Sequence, residues 1–132
     1  MVRYFEIENM KGKFEELFVD DKKKYTIVIA FFDWILRSDF KEVMNILARD
    51  MSYGGEVLGC NLPSLFESVD EEGYFNDGVE FYVDESEIKV DFQMYIKCLE
   101  LAYRIYVREK GEDEEIKDNL LMIKKRYSKI LE

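Results

Sequence analysis

Val79-Glu80-Phe81-Tyr82-Val83-Asp84-Glu85-Ser86-Glu87-Ile88-Lys89-Val90 alternates apolar and polar side chains on either side of a short acidic break. Successive side chains of a strand point to opposite faces, and Asp84-Glu85-Ser86 supplies residues that turn a chain. The stretch predicts a β-hairpin in which Val79, Phe81, Val83, Ile88 and Val90 face a core while Glu80, Tyr82, Glu87 and Lys89 face outward. A two-stranded hairpin alone is marginal in water, so it must pack on helices or pair with a further strand, from Val2–Ile7 or Glu56–Leu58.

Helical patterns flank the hairpin. From Lys22 to Arg37 apolar residues cover most of a helix surface, including Ile27, Val28, Phe31, Phe32, Trp34, Ile35 and Leu36, as in a buried central helix. Its β-branched content leaves a strand open for Tyr25–Ala30, against which the length of the run argues. The aromatics from Phe31 to Trp34 read as core packing. Ser38-Asp39 followed by Glu42 marks a helix start with a capping box, and that helix runs to about Met51 before Gly54-Gly55 ends it. The following twenty residues read as an irregular surface excursion with a short helix at Pro63–Glu67.

After the hairpin, Asp91 caps a helix from Phe92 to about Lys110, stopped by Gly111. Asp113 caps a last helix striped by Ile116, Leu120, Ile123, Tyr127 and Ile130, and the two helices are expected to pack antiparallel. The segment Met10–Val19 suggests a further short helix. The fold class is therefore α+β: one domain over residues 1–132, mainly helical, with a small antiparallel sheet or hairpin.

The formal charge of −10 is strongly local. Residues 67–91 hold ten acids against the single base Lys89, a net of −9, so the rest of the chain sums to −1. Such a chain disfavours nucleic acid, which needs a basic patch, and favours a basic partner. A solvated face that keeps the protein soluble is the plainer reading of an acidic stretch. Against it stand the confinement of the charge and the aromatics interleaved with it. Carboxylates steer a partner and tyrosines offer rigid contact area, so the candidate binding residues are Glu67, Asp70, Glu71, Glu72, Tyr74, Asp77, Glu80, Tyr82, Asp84, Glu85 and Glu87. Tyr74 and Phe75 could equally be core residues.

Catalytic chemistry is poorly supplied. The chain has no histidine, the commonest general base and transition-metal ligand. Cys60 and Cys98 lack an evident activating base and read as reduced structural thiols. Paired carboxylates need a sheltered cleft that separates their pKa values, which an acidic run in a glycine-flanked loop does not offer. Asp70–Glu80 fits no register of a calcium-binding loop, and Gly54-Gly55-Glu56 lacks the lysine of a phosphate-binding loop. No enzyme, cofactor or metal is expected. No run is long and apolar enough to span a bilayer and no secretory leader pattern is visible, which sets the expectation of a cytoplasmic protein.

Phe32-Asp33-Trp34-Ile35-Leu36, continuing through Asp39-Phe40 to Asn45-Ile46-Leu47-Ala48, resembles the immunity proteins of bacterial contact-dependent growth inhibition, the CdiI family paired with ribonuclease toxins. Asp77-Gly78-Val79-Glu80-Phe81, with the acidic turn, short strand and helix that follow, is similar to the latter half of the same proteins. The resemblance covers about half of the chain. It implies a cytoplasmic antidote, without activity of its own, that forms a 1:1 heterodimer with a basic toxin nuclease domain and covers its active site. Contact residues vary among such proteins, so the candidate set rests on charge and strand phase alone. An acidic cytoplasmic adaptor or structural subunit is the alternative from the residues themselves.

Overall fold

The computed structural model describes the backbone of residues 12–131 and the side chains of residues 12–128. Helix α1 covers residues 12–17. It is followed by α2 (Lys22–Arg37), α3 (Phe40–Ala48), the strands β1 (Tyr53–Gly54) and β2 (Leu58–Asn61), a 3₁₀ turn at Pro63–Leu65, β3 (Val79–Val83), β4 (Ser86–Val90), α4 (Phe92–Lys110) and α5 (Glu114–Leu131). The architecture is α+β, as the alternating and helical patterns predict. The possible strand at Val2–Ile7 lies outside the described residues, as does the start of the helix expected from Met10.

Helix α2 is helical throughout, which closes the strand alternative for Tyr25–Ala30. Asp21 caps it by accepting from the Lys24 amide at 3.1 Å. Ile27, Val28, Phe31, Phe32, Ile35 and Leu36 form its buried arc. Phe81 of β3 packs against Phe31 and Phe32, with ring centroids 5.1 and 5.8 Å away, and Phe14 of α1 stacks on Phe32 at 5.2 Å. This aromatic group joins helices to sheet. Trp34 departs from the core expectation, because it sits at the margin of the arc and is 53% exposed.

The sheet is antiparallel in the order β1-β2-β3-β4. The predicted hairpin is present, with Val83 opposite Ser86 and Val79 opposite Val90. Asp84 takes a positive φ of 53° in the turn, a conformation that aspartate tolerates better than most residues. Of the residues expected to face the core, Val79, Phe81, Ile88 and Val90 are buried and Val83 partly so. The additional pairing strand is Leu58–Asn61, not Glu56–Leu58: Glu56 and Val57 form the turn from β1.

The end of α3 also differs from expectation. The helix stops at Ala48, and the Asp50 amide donates to Leu47 O while the Met51 amide donates to Ile46 O. With Asp50 at φ 59°, this is a Schellman motif closed by an aspartate in the left-handed region. Gly54 and Gly55, read from sequence as the terminator, belong to the β1–β2 hairpin instead.

Asp91 and Asp113 cap α4 and α5 by accepting from the amides of Met94 at 2.7 Å and Ile116 at 3.1 Å. Gly111, at φ 85°, ends α4. Phe92 at the start of α4 stacks on Tyr127 late in α5 at 4.5 Å, so the two helices run antiparallel. Arg126 of α5 donates to the Leu47 and Ala48 carbonyls and thereby caps α3 from outside. Among the described residues no polar or charged side chain counts as buried in the core apart from tyrosines and the two thiols.

Candidate functional site

The outward face of the sheet is set by its register. Gly54, Gly59, Tyr82 and Glu87 form one row across the four strands, and Asn61, Glu80 and Lys89 form the next. Tyr82 lies over the two glycines and its hydroxyl donates to Gly55 O at 2.7 Å. A Cβ at Gly59 would stand 2.5 Å from the Tyr82 hydroxyl oxygen, so glycine there is what lets the ring lie flat. Partial burial, then the nearby Cys60 and Glu80, push the Tyr82 phenol above its ordinary pKa. The ring expected to project toward a partner is thus half-buried and fixed against the sheet.

In the next row Glu80 accepts from Asn61 Nδ2 at 3.0 Å and is half-buried. Lys89 pairs with Asp77 at 2.6 Å and lies 5.9 Å from the Phe75 ring centroid. The Lys89 ammonium beside Asp77 holds its carboxyl below the ordinary carboxylate value. These contacts tie the loop before β3 to the end of the hairpin where Val79 faces Val90. The loop has its own small aromatic cluster, in which Phe66 meets Tyr74 and Phe75 edge-on at 5.5 and 5.2 Å. Phe75 is buried and Tyr74 half-buried, so both anchor the loop. Glu71 is used locally, accepting from the Glu67 amide at 3.1 Å.

Of the candidate carboxylates, Glu67, Asp70, Glu72, Asp84, Glu85 and Glu87 are exposed and have no hydrogen-bond or ion-pair partner among the described residues. They fall into two groups. Glu67, Asp70 and Glu72 lie in the loop at one end of the hairpin, whereas Asp84, Glu85 and Glu87 lie at or beside its tip. Five residues of strand separate the two ends, roughly 13 Å at about 3.3 Å per residue. That exceeds the Debye length of about 8 Å at physiological ionic strength, so the groups act as two sources of field there and merge only in low salt. Contiguous in sequence, the acidic segment is divided in space.

The tip group adjoins a surface that the sequence reading left out. The Asp84 amide donates to Val57 O at 2.6 Å, which binds the β3–β4 turn to the β1–β2 turn. Beside Val57, a groove of about 460 Å³ runs between Trp34 and residues 53–58. Exposure of Trp34 could not be read from its spacing, which matches that of its buried neighbours.

No three carboxylates or thiols converge as a metal-ligand set among the described residues. Cys60 and Cys98 are reduced and buried, and burial pushes both thiols well above their ordinary pKa. Among the described residues no helix is long and apolar enough to cross a membrane.

Residues 11–121 match the family model of the CDI immunity proteins. No curated protein and no solved structure gives a significant match. Both stretches that carry the resemblance seen in the sequence lie within the matched range, which takes in the sheet, α2, α3 and α4, and bears that resemblance out. A match of this extent, well over half of the chain, places the protein: it belongs to the CDI immunity protein family.

Proposed function

We propose that this immunity protein neutralises a cognate ribonuclease toxin domain by binding it 1:1 in the cytoplasm and covering a basic active site with the acidic surface between residues 67 and 87. The observation that carries this is the set of exposed carboxylates without partners at Glu67, Asp70, Glu72, Asp84, Glu85 and Glu87. Unpaired surface carboxylates give the fold little stability, and clustered ones repel each other. Their placement suits a partner that brings positive charge. A domain that cleaves RNA must hold phosphates, and carboxylates can occupy the same positions. Glu71, Asp77, Glu80, Tyr74 and Tyr82 belong to the same surface but act mainly by fixing its shape, through the Glu67 amide, Lys89, Asn61, Phe66 and Gly55. The protein works by occupancy, not by turnover.

The test is association kinetics with the cognate toxin domain, together with protection of RNA from that domain. Neutralising all six carboxylates as Gln or Asn is expected to lower the association rate on the order of tenfold in low salt, with the gap closing as salt rises. An unchanged rate and an unchanged salt slope would remove the acidic surface from the interface. RNA cleavage that persists with an excess of the wild-type chain would refute neutralisation, and a toxin domain that leaves RNA intact would refute the ribonuclease assignment.

A further inference from the structure

The groove beside the hairpin tip has the features of an anchor for a partner's side chain. Trp34 is 53% exposed and Val57 58% exposed, and the two flank a depression of about 460 Å³. The buried arc of α2 on either side of Trp34 includes Phe31, Phe32, Ile35 and Leu36, so the indole is held on a rigid helix and not on a frayed end. Gly54 and Gly55 put no side chain into the space, and a Cβ built on Gly55 meets no atom within 4 Å. Tryptophan in a preformed apolar depression is the residue type most often found at the energetic centre of a protein interface.

Its rim says what fits. Glu56 lines the groove, and the bond from the Asp84 amide to Val57 O sets the turn that carries Asp84 and Glu85 next to Val57 of its lining. All three carboxylates are exposed and have no ion-pair partner among the described residues. A second copy of a chain with net charge −10 would set like charges around the same apolar contact. A basic partner would instead neutralise the rim as its apolar group enters.

We infer that the groove between Trp34 and residues 53–58 anchors the cognate toxin domain, taking an aromatic or long aliphatic side chain that projects from a basic surface, with lysine or arginine beside it meeting Glu56, Asp84 and Glu85. This rests on the acidic-surface reading above and moves its centre to the tip end of the sheet. The carboxylates of the loop then contribute to steering, and the groove sets the lifetime of the complex. Losing the apolar anchor acts on dissociation, whereas losing rim charge acts on association.

The chain and three variants, Trp34→Ala, Gly55→Leu and the triple variant Glu56→Gln/Asp84→Asn/Glu85→Gln, are measured against the cognate toxin domain. Trp34→Ala is expected to weaken binding about thirtyfold or more, mainly through faster dissociation and equally at low and high salt. Gly55→Leu fills the groove from a position with room for a side chain, so it is expected to weaken binding with an unchanged melting temperature. The triple variant is expected to slow association in low salt only. Near wild-type binding by both Trp34→Ala and Gly55→Leu would overturn the groove as anchor while leaving the acidic surface in place. A wild-type dimer in sedimentation that Trp34→Ala dissolves would assign the groove to a second copy and overturn the proposal. No binding by the wild-type chain would overturn this inference and the reading beneath it together.

Discussion

Replacing Gly59 with alanine tests whether the outer face of the sheet is built around the Tyr82 ring. The added Cβ would lie 2.5 Å from the Tyr82 hydroxyl oxygen, 2.6 Å from Cζ of the same ring and 2.6 Å from Tyr53 O. Two of these contacts are relieved if Tyr82 swings away, and the third only if β1 shifts. Forcing a methyl group into such a space costs about 1 to 3 kcal/mol. Displacing the ring also loses its bond to Gly55 O, worth about 0.5 to 1.5 kcal/mol. The sum is about 1.5 to 4.5 kcal/mol. With an unfolding entropy of roughly 2.1 cal/mol/K per residue over 132 residues, each kcal/mol corresponds to about 3 to 4 °C. The expected fall in Tm is therefore about 5 to 16 °C, measured by circular dichroism and checked by urea unfolding. Because part of the cost passes through Tyr82, the double variant Gly59→Ala/Tyr82→Ala should be less destabilised than the two single changes summed, by about 1 kcal/mol. A Gly59→Ala protein that melts within 2 °C of wild type, or strictly additive single changes, would refute the packing of Tyr82 on Gly59.

Arg126→Ala removes a charged donor from the last carbonyls of α3 and is expected to cost about 1.5 to 3 kcal/mol, with Arg126→Lys recovering part of it in chemical denaturation. Burial pushes the Tyr127 phenol up to about 12 and the Tyr95 phenol well above its ordinary value. Since both groups hold their protons more tightly folded than unfolded, their contribution is intact below about pH 10 and is lost as pH rises toward the folded values. Phenolate absorbance from these two side chains is accordingly expected to appear together with loss of ellipticity, and titration of all the tyrosines on an intact fold would contradict their burial. Cys60 and Cys98 are expected to resist a thiol reagent at pH 8 in the native protein and to react at once in denaturant, and rapid native labelling of either would show that its site opens.

What the sequence conveyed follows from where physics writes a local signal. Helices α2, α4 and α5 announce themselves by apolar spacing and by Asp91 and Asp113 at their starts, and the β3–β4 hairpin by strict alternation. Strand β1 escaped, and β2 was expected two residues early at Glu56–Leu58, because Gly54 and Gly59 resemble turn residues. Their glycines serve a ring that comes from more than twenty residues away, and no local pattern encodes that need. The end of α3 was misplaced for a related reason: two glycines advertise a stop, while the actual stop is Asp50 in a conformation that sequence does not mark. The acidic segment was visible as charge, but its division into a loop group and a tip group depends on the length of the hairpin. Asp77, Glu80 and Glu71 could not be distinguished from the unpaired carboxylates until Lys89, Asn61 and the Glu67 amide were placed beside them.

The bond from the Asp84 amide to Val57 O fastens two turns that carry no core residue between them. Glu56, Glu85 and Glu87 point away from everything that holds the domain together, so their identities are nearly independent of its stability, whereas Asp84, at φ 53°, exchanges freely only with asparagine or glycine. On the proposed interface, partner choice and foldability therefore sit largely on separate residues. On that proposed interface, this end of the sheet can be rewritten, for example by exchanging Glu56 and Glu85 for glutamine or lysine around an unchanged Trp34, to change which toxin is recognised while the scaffold beneath stays the same.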